Sequence, residues 1–361
     1  MNIPAWEGSS IFPALCDTLL TWRKSSPDTR ELPWRDEPTP YHVWISEIML
    51  QQTRANVVRG YYLRFLAALP TVRDLAGVDE DALMKLWQGL GYYSRARNLR
   101  RAAQAIVERH GGALPDDFDA LLALPGIGRY TASAISSFAY GRPCPAVDGN
   151  FLRVAARVTA NPIDIAKDAS KRALEESLRP CYPEGKDAGL LNEAFMDLGA
   201  TVCLPNGAPL CRLCPAAHDR STQLDYPIKT ALKARRKEHH TVLLLRCGNL
   251  CAIRKRPARG LLAGLWEYPN LEGNRSKRKL LEYLAAAGFT VRSIAPLPPA
   301  RHVFTHIEWN LTGWEIYVAD TNDAPLCTAE DNDASSLLWV RRADLADTYS
   351  IPAAFGYFTP R

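Results

Sequence analysis

Through the first two-thirds of the chain, apolar residues recur at three- and four-residue spacing. These runs cover residues 11–22, 41–65, 79–89, 94–110, 118–124, 130–140, 150–158 and 171–178, and they predict amphipathic helices from about residue 11 to 220. Gly, Pro and Asp separate them, and Pro115-Asp116-Asp117 is a clear helix-start signal. From about His239 the period changes. Residues 241–245 and 250–254 are short β-rich runs flanking Cys247-Gly248-Asn249, a hairpin signal. Residues 275–287 predict a helix, and 303–307, 309–318 and 337–340 predict strands. The expected architecture is multidomain, an all-α domain over 1–221 and an α+β domain over 239–361, joined by a basic connector at 222–238.

With 361 residues the chain is long enough for two domains with real cores. A hydrophobic content of 47% and a charged content of 23% exclude a disordered or fibrous chain. The net charge of +5 admits nucleic acid without requiring it. Arginines crowd one stretch (Arg95, Arg97, Arg100, Arg101, Arg109), and Lys233, Arg235, Arg236 and Lys237 another; each fits a solvated face equally well. No apolar run approaches the roughly 20 residues of a membrane span, and the N-terminal residues lack a leader pattern. Nine cysteines, an odd number with three of them clustered, fit a reducing compartment and a possible metal site. A cytoplasmic location is expected.

Residues 124–132 read Leu-Pro-Gly-Ile-Gly-Arg-Tyr-Thr-Ala, with Asp148 twenty positions past Gly128 (148 − 128 = 20). Pro125 stops a helix, Gly126 and Gly128 free the backbone for a turn, and a new helix starts near Arg129. Such a hairpin aims unpaired N–H groups at one point, which suits a phosphate; it also serves as a plain joint between core helices. Two carboxylates stand in unusual settings. Glu47 lies in the apolar run Val-Trp-Ile-Ser-Glu-Ile-Met-Leu, where desolvation raises its pKa as a general acid requires. Asp148 precedes Gly149-Asn150 at a helix start, which is expected to keep it ionised. One protonated and one ionised acid is the division of labour that cleaving a glycosidic bond needs. Taken singly, Asp148 reads more readily as a plain N-cap, and Glu47 as a helix-surface residue paired with a nearby arginine.

Five motifs follow in order. They are Leu32-Pro33-Trp34, Tyr41-His42-Val43-Trp44-Ile45-Ser46-Glu47-Ile48-Met49-Leu50-Gln51-Gln52-Thr53, Gly89-Leu90-Gly91-Tyr92-Tyr93-Ser94-Arg95-Ala96-Arg97-Asn98-Leu99, the glycine hairpin and Val147-Asp148-Gly149-Asn150. Together they resemble the adenine DNA glycosylase (MutY) family of the helix–hairpin–helix superfamily, which removes adenine mispaired with 8-oxoguanine. The resemblance implies a flipped base, Glu47 protonating adenine at N7 and later activating water, and Asp148 stabilising the sugar cation. It implies Tyr130 between those acids, Asn150 orienting them, and Gln52 and Tyr92 wedging beside the 8-oxoguanine. Pro125, Gly126, Ile127, Gly128 and Arg129 would bind DNA. The implied partner is duplex DNA with an 8-oxoguanine:adenine or guanine:adenine mispair, met by a DNA-associated monomer. The related endonuclease III-like glycosylase/lyases, which act on pyrimidine lesions, carry a lysine where Tyr130 stands; tyrosine cannot form their Schiff base. A monofunctional glycosylase is therefore expected, with a non-catalytic binder of damaged DNA as a further alternative.

Cys203, Cys211 and Cys214 resemble the family's [4Fe–4S] loop, spaced Cys-x6-Cys-x2-Cys-x5-Cys, but Arg220 stands where the fourth cysteine belongs. Within this residual loop, 203–220, His218 is the nearest substitute ligand and Cys181 a more distant one. A cluster completed by His218 or an exogenous ligand, a loop without a stable cluster, and zinc all stay open. Residues 256–269 resemble the start of the family's Nudix-like domain. A Nudix hydrolase needs an Arg-Glu-x-x-Glu-Glu carboxylate set to hold Mg²⁺. Arg275-Ser276-Lys277-Arg278-Lys279 is basic there, so no Mg²⁺ is expected and lesion recognition is the implied role. Phe304-Thr305-His306 resembles the family's Phe-Ser-His loop, which contacts 8-oxoguanine.

Overall fold

The computed structural model describes residues 5–26, 30–216, 222–231, 234–319 and 337–359. The chain forms two compact units, Met1–Val78 with Arg97–Ala231, and Asp79–Ala96 with Leu232–Arg361. In chain order the helices through Thr201 are α1 (Phe12–Ser25), α2 (Pro40–Leu50), α3 (Ala55–Ala68), α4 (Val72–Gly77), α5 (Glu80–Trp87), α6 (Ser94–Arg109), α7 (Phe118–Leu122), α8 (Arg129–Phe138), α9 (Gly149–Val158), α10 (Asp168–Leu178) and α11 (Lys186–Thr201). Helix α5 and the first residues of α6 belong to the second unit.

Side chains start many of these helices. Thr39 accepts from the His42 N–H, Thr71 and Asp74 form a reciprocal capping box, and Asp79, Asp117 and Asp148 each take first-turn N–H groups. Helix α11 packs on α1, α8 and α9, with Phe195 stacked on Phe151 at 4.3 Å and 17°. The run at 41–65 is not one helix. Four polar residues, Gln51 to Arg54, interrupt its apolar stripe, and Gln52 turns into the left-handed region with φ 60°.

The second unit is built on a mixed sheet. Its strands are β1 (Arg236–Cys247), β2 (Leu250–Lys255), β3 (Trp266–Glu267), β4 (Asn270–Glu272), β5 (Val291–Val303), β6 (Ile307–Val318) and β7 (Leu338–Arg341). The order is β3-β2-β1-β6-β5, with β4 also on β1 and β7 on β2. Strands β1 and β6 run parallel, in register from Arg236↔Ile307 to Arg246↔Tyr317. Both faces are covered, which is why residues 241–245 read as a short apolar run and not as an alternation. Val242 and Leu244 pack with Trp309 and Phe355, the latter on helix α14 (Ala353–Gly356); Leu243 and Leu245 pack with Leu280 and Leu284 of α12 (Lys277–Ala286). A further helix, α13 (Arg342–Thr348), follows β7.

Two expectations fail locally. Residues 303–307 are not one strand: Val303 ends β5, Ile307 begins β6 and residues 304–306 turn between them, and Arg236 to Glu238, expected in the connector, already pair in β1. Strand β5 was hidden by Pro296, Pro298 and Pro299; it lies at the edge of the sheet, where proline is tolerated, and its register shifts between Leu297 and Ala300.

Candidate active site

Helix α2 is buried over nearly its whole circumference, from Tyr41 through Met49, and it carries Glu47 into the first unit at 5% exposure. Facing it, α8 supplies Tyr130, whose hydroxyl donates to Glu47 Oε2 at 2.7 Å. Asp148 caps α9: Oδ1 accepts from the N–H groups of Asn150 (2.8 Å) and Phe151 (2.9 Å), and Oδ2 accepts from Asn150 Nδ2 (2.7 Å). Glu47, Tyr130, Asp148 and Asn150 all line one cavity of about 860 Å³, within the range of small-molecule sites. Leu32, Trp34, Arg35, Gln52, Gly128, Arg129 and Glu193 line it too.

The electrostatics separate the groups. Burial pushes the Glu47 carboxyl up to about 7 and the charge of Asp148 adds to this, while the Tyr130 hydrogen bond and the Arg35 charge pull it down. Burial also holds the Tyr130 phenol well above its ordinary value, so it stays a donor. Burial raises Asp148 despite its helix-start position. Its three N–H donors and Arg153 oppose that rise. Both of its oxygens accept from N–H groups, the pattern an ionised carboxylate satisfies.

Asn150 is held from behind. Arg153 donates from Nη2 to Asn150 Oδ1 (2.8 Å) and to the Gly199 carbonyl (2.7 Å), and from Nε to the Cys203 carbonyl (2.8 Å). A Cβ on Gly199 would stand 2.5 Å from the Asn150 Cβ, so only glycine lets α11 approach this closely. A second group on α11 reaches the cavity wall. Arg35 grips both oxygens of Asp197 (3.0 and 2.8 Å), Arg23 donates to Glu193 Oε2 at 3.1 Å and 2.6 Å, and burial raises Glu193. Sequence pattern alone missed Arg153, Gly199, Arg35 and Glu193. The signal for Arg153 was a cation inside the apolar run of α9, and for Glu193 an acid in the apolar α11.

The glycine hairpin forms, but its two glycines differ. Gly126 has φ +78°, and a Cβ there would lie 2.6 Å from the Asn98 Cβ; Gly128 has φ −94° and open space where its Cβ would be. Only the first is required by the fold, which corrects the expectation that both free the turn. Ile127 is buried at 4%, with its N–H donating to the Leu124 carbonyl, so it anchors the hairpin. Pro125 is half-buried, and Arg129 ties to Glu175 through Nε and Nη2, both at 3.2 Å.

In the second unit the turn after β5 is closed by the Phe304 N–H on the Ile307 carbonyl at 2.8 Å. The Phe304 ring packs edge-on against His302 (4.7 Å) and Trp309 (5.0 Å), which leaves Thr305 and His306 exposed. Tyr92 has φ 48° and is 45% exposed, and its hydroxyl meets Thr305 Oγ1 at 2.6 Å. Helix α12 opens with Lys277-Arg278-Lys279, and its first acid is Glu282.

The described part of the cysteine loop supplies three cysteines, one short of the four ligands of a cluster. Among the described residues no group of three or more His, Cys, Asp or Glu could hold a metal ion; His218 and Arg220 lie outside them. Cys203 is buried, its Sγ accepting from Arg157 Nη1 at 3.4 Å, and Cys181 packs against the same core, which also holds Cys16. Arg157 also donates to the carbonyls of Leu204 (2.8 Å) and Tyr226 (2.9 Å), so a guanidinium ties this region together. Among the described residues, no helix is long and apolar enough to cross a membrane.

Residues 45–180 match the family model of the HhH-GPD superfamily of base excision DNA repair proteins, and residues 240–358 match that of the NUDIX domain. The first match contains Glu47, Tyr130 and Asp148, and the second contains the Thr305 turn. The adenine DNA glycosylase of Mus musculus is 32% identical, over 95% of this chain and 77% of its own. That of Rattus norvegicus is 33% identical over 80% and 68%, and that of Buchnera aphidicola subsp. Baizongia pistaciae 31% over 80% and 82%. With paired acids in the helical unit, a NUDIX-type sheet in the second and likeness along most of both chains, this chain belongs to the adenine DNA glycosylase family.

Proposed function

We propose that this protein is a monofunctional DNA glycosylase of base excision repair that hydrolyses the N-glycosidic bond of adenine mispaired with 8-oxoguanine or guanine. The observation that carries the reading is the pair of buried carboxyls, Glu47 and Asp148, in one cavity with Tyr130 donating to the first. With its carboxyl pushed up to about 7, Glu47 holds a proton it can deliver to a leaving base, and the resulting carboxylate can then take one from water. Asp148, accepting N–H bonds on both oxygens, offers negative charge to the sugar cation that forms as the bond breaks. Leu32 and Trp34 supply apolar wall for a base, and Glu193 retains lone pairs for an exocyclic amine beside its arginines.

The remaining residues divide between grip and reading. The open space at Gly128 and the uncapped start of α8 suit close approach of a phosphate. Gln52 and Tyr92, both held at positive φ, suit filling the stack that a flipped nucleotide leaves. Thr305 suits contact with the 8-oxoguanine. The domains would run 1–221 and 239–361, with the connector at 222–238 giving its last three residues to β1. No step passes through a metal.

Single-turnover cleavage of 8-oxoguanine:adenine and guanine:adenine duplexes tests the reading. Excision of adenine is expected from both, and Asp148→Asn is expected to abolish it while duplex binding persists. Excision that survives Asp148→Asn sinks the mechanism; excision of oxidised pyrimidines in place of adenine sinks the substrate.

A further inference from the structure

Thr305 stands at the tip of a three-residue turn between two long strands, and it is flanked by two backbone carbonyls. Both are taken by consecutive residues at the start of β1. Arg235 donates from Nε to the Phe304 carbonyl at 3.0 Å, and Arg236 donates its backbone N–H to the His306 carbonyl at 3.1 Å. The second bond opens the β1–β6 ladder and exists for any residue at 236. The first depends on the side chain. Arg235 is exposed, so its long stem is ordered by this bond and not by packing.

We infer that Arg235 is a positioning residue for lesion reading, fixing the backbone that presents Thr305. This rests on the reading of Thr305 as a contact to 8-oxoguanine. The geometry supports it from three sides. The Phe304 ring is wedged between His302 and Trp309, which fixes one end of the turn. Ladder pairing fixes the other end at Ile307. Between them the peptide plane that carries the Phe304 carbonyl is held from outside the turn by the Arg235 guanidinium. The Thr305 hydroxyl is meanwhile aligned on Tyr92, so a turn that shifts takes both contacts with it. A carbonyl held by a guanidinium has a stronger bond than one held by a neutral donor.

The ratio of single-turnover rates on 8-oxoguanine:adenine and guanine:adenine duplexes reads this directly, since a general loss of folding or of phosphate binding lowers both rates together. Arg235→Ala is expected to lower the ratio about tenfold, the worth of one charge-assisted bond, with an unchanged melting temperature. Arg235→Lys, which keeps a donor on a flexible stem, is expected to retain more of the ratio than alanine does. A wild-type-like ratio in Arg235→Ala overturns the inference, and so does an equal fall on both duplexes. A wild-type protein with no preference for the oxidised mispair overturns instead the 8-oxoguanine reading on which it rests.

Discussion

Tyr130 donates its phenol to Glu47 at 2.7 Å, and this bond opposes the burial that pushes the Glu47 carboxyl up to about 7. The acid must be protonated to act, so single-turnover excision is expected to fall as pH rises through about 7. Tyr130→Phe removes a group that favours the anion. The falling limb of the pH–rate profile is therefore expected to move to higher pH; a move to lower pH would contradict the assignment.

The same elevation has a stability consequence. The folded protein holds the Glu47 proton above pH 4.5, where the unfolded chain has released it, so wild type loses stability between about 4.5 and 7 relative to Glu47→Gln. The difference, on the order of 3 kcal/mol, is expected to be small below 4.5 and level above 7. Denaturant melts of both proteins at several pH values measure it.

Substitutions in the hairpin are expected to separate folding from binding. Gly126→Ala meets both a left-handed φ and Asn98 at 2.6 Å, so a loss of about 1–2 kcal/mol or more is expected, with weaker DNA binding. Gly128→Ala meets neither obstacle, so its thermal melt is expected to match wild type while duplex binding alone weakens. Melting curves and fluorescence anisotropy distinguish the two.

Schiff-base chemistry is expected to be absent. Borohydride added during turnover is expected to trap no covalent DNA complex, because Tyr130 carries no amine. Lys171 lines the cavity and bonds Asp168 at 3.2 Å, so Lys171→Ala is the control. A trapped complex that disappears in that variant would overturn the monofunctional reading.

Iron and acid-labile sulfide are expected far below the stoichiometry of a cubane, with no thiolate–iron absorbance near about 400 nm. The expectation rests on the three cysteines of the 203–214 region and the arginine tie at Cys203. Arg157→Ala, which removes that tie, is expected to lower the melting temperature by several degrees (a loss of about 1–2 kcal/mol). Four irons per chain would refute it.

Much of this was legible in the chain. Glu47 stood out because a carboxylate in an apolar helix has no inexpensive resting state, and Asp148 because helix starts select such residues. The change of period near His239 announced the sheet, and the basic residues of α12 are where the pattern placed them. Other features were not readable, because tertiary partners define them. Gly199 is one helix glycine among others until Asn150 is set against it. Strand β5 has no periodicity to find, since prolines and a register shift break it. Asp148 was only half legible, because its capping bonds are local and visible in sequence, whereas the burial that opposes them is not.

The second unit borrows residues 79–96 from far upstream in the chain. Lys255 pairs with Asp81 at 3.0 Å, Gln88 reaches the Ile351 carbonyl at 3.0 Å, and Tyr92 meets Thr305. A chain cut after Ala231 therefore does not release a tidy module. It strands an eighteen-residue segment (96 − 79 + 1) without the partners that its polar groups were shaped to meet. Swapping residues 232–361 of this chain for another domain is thus constrained by a stretch lying wholly within the first hundred residues.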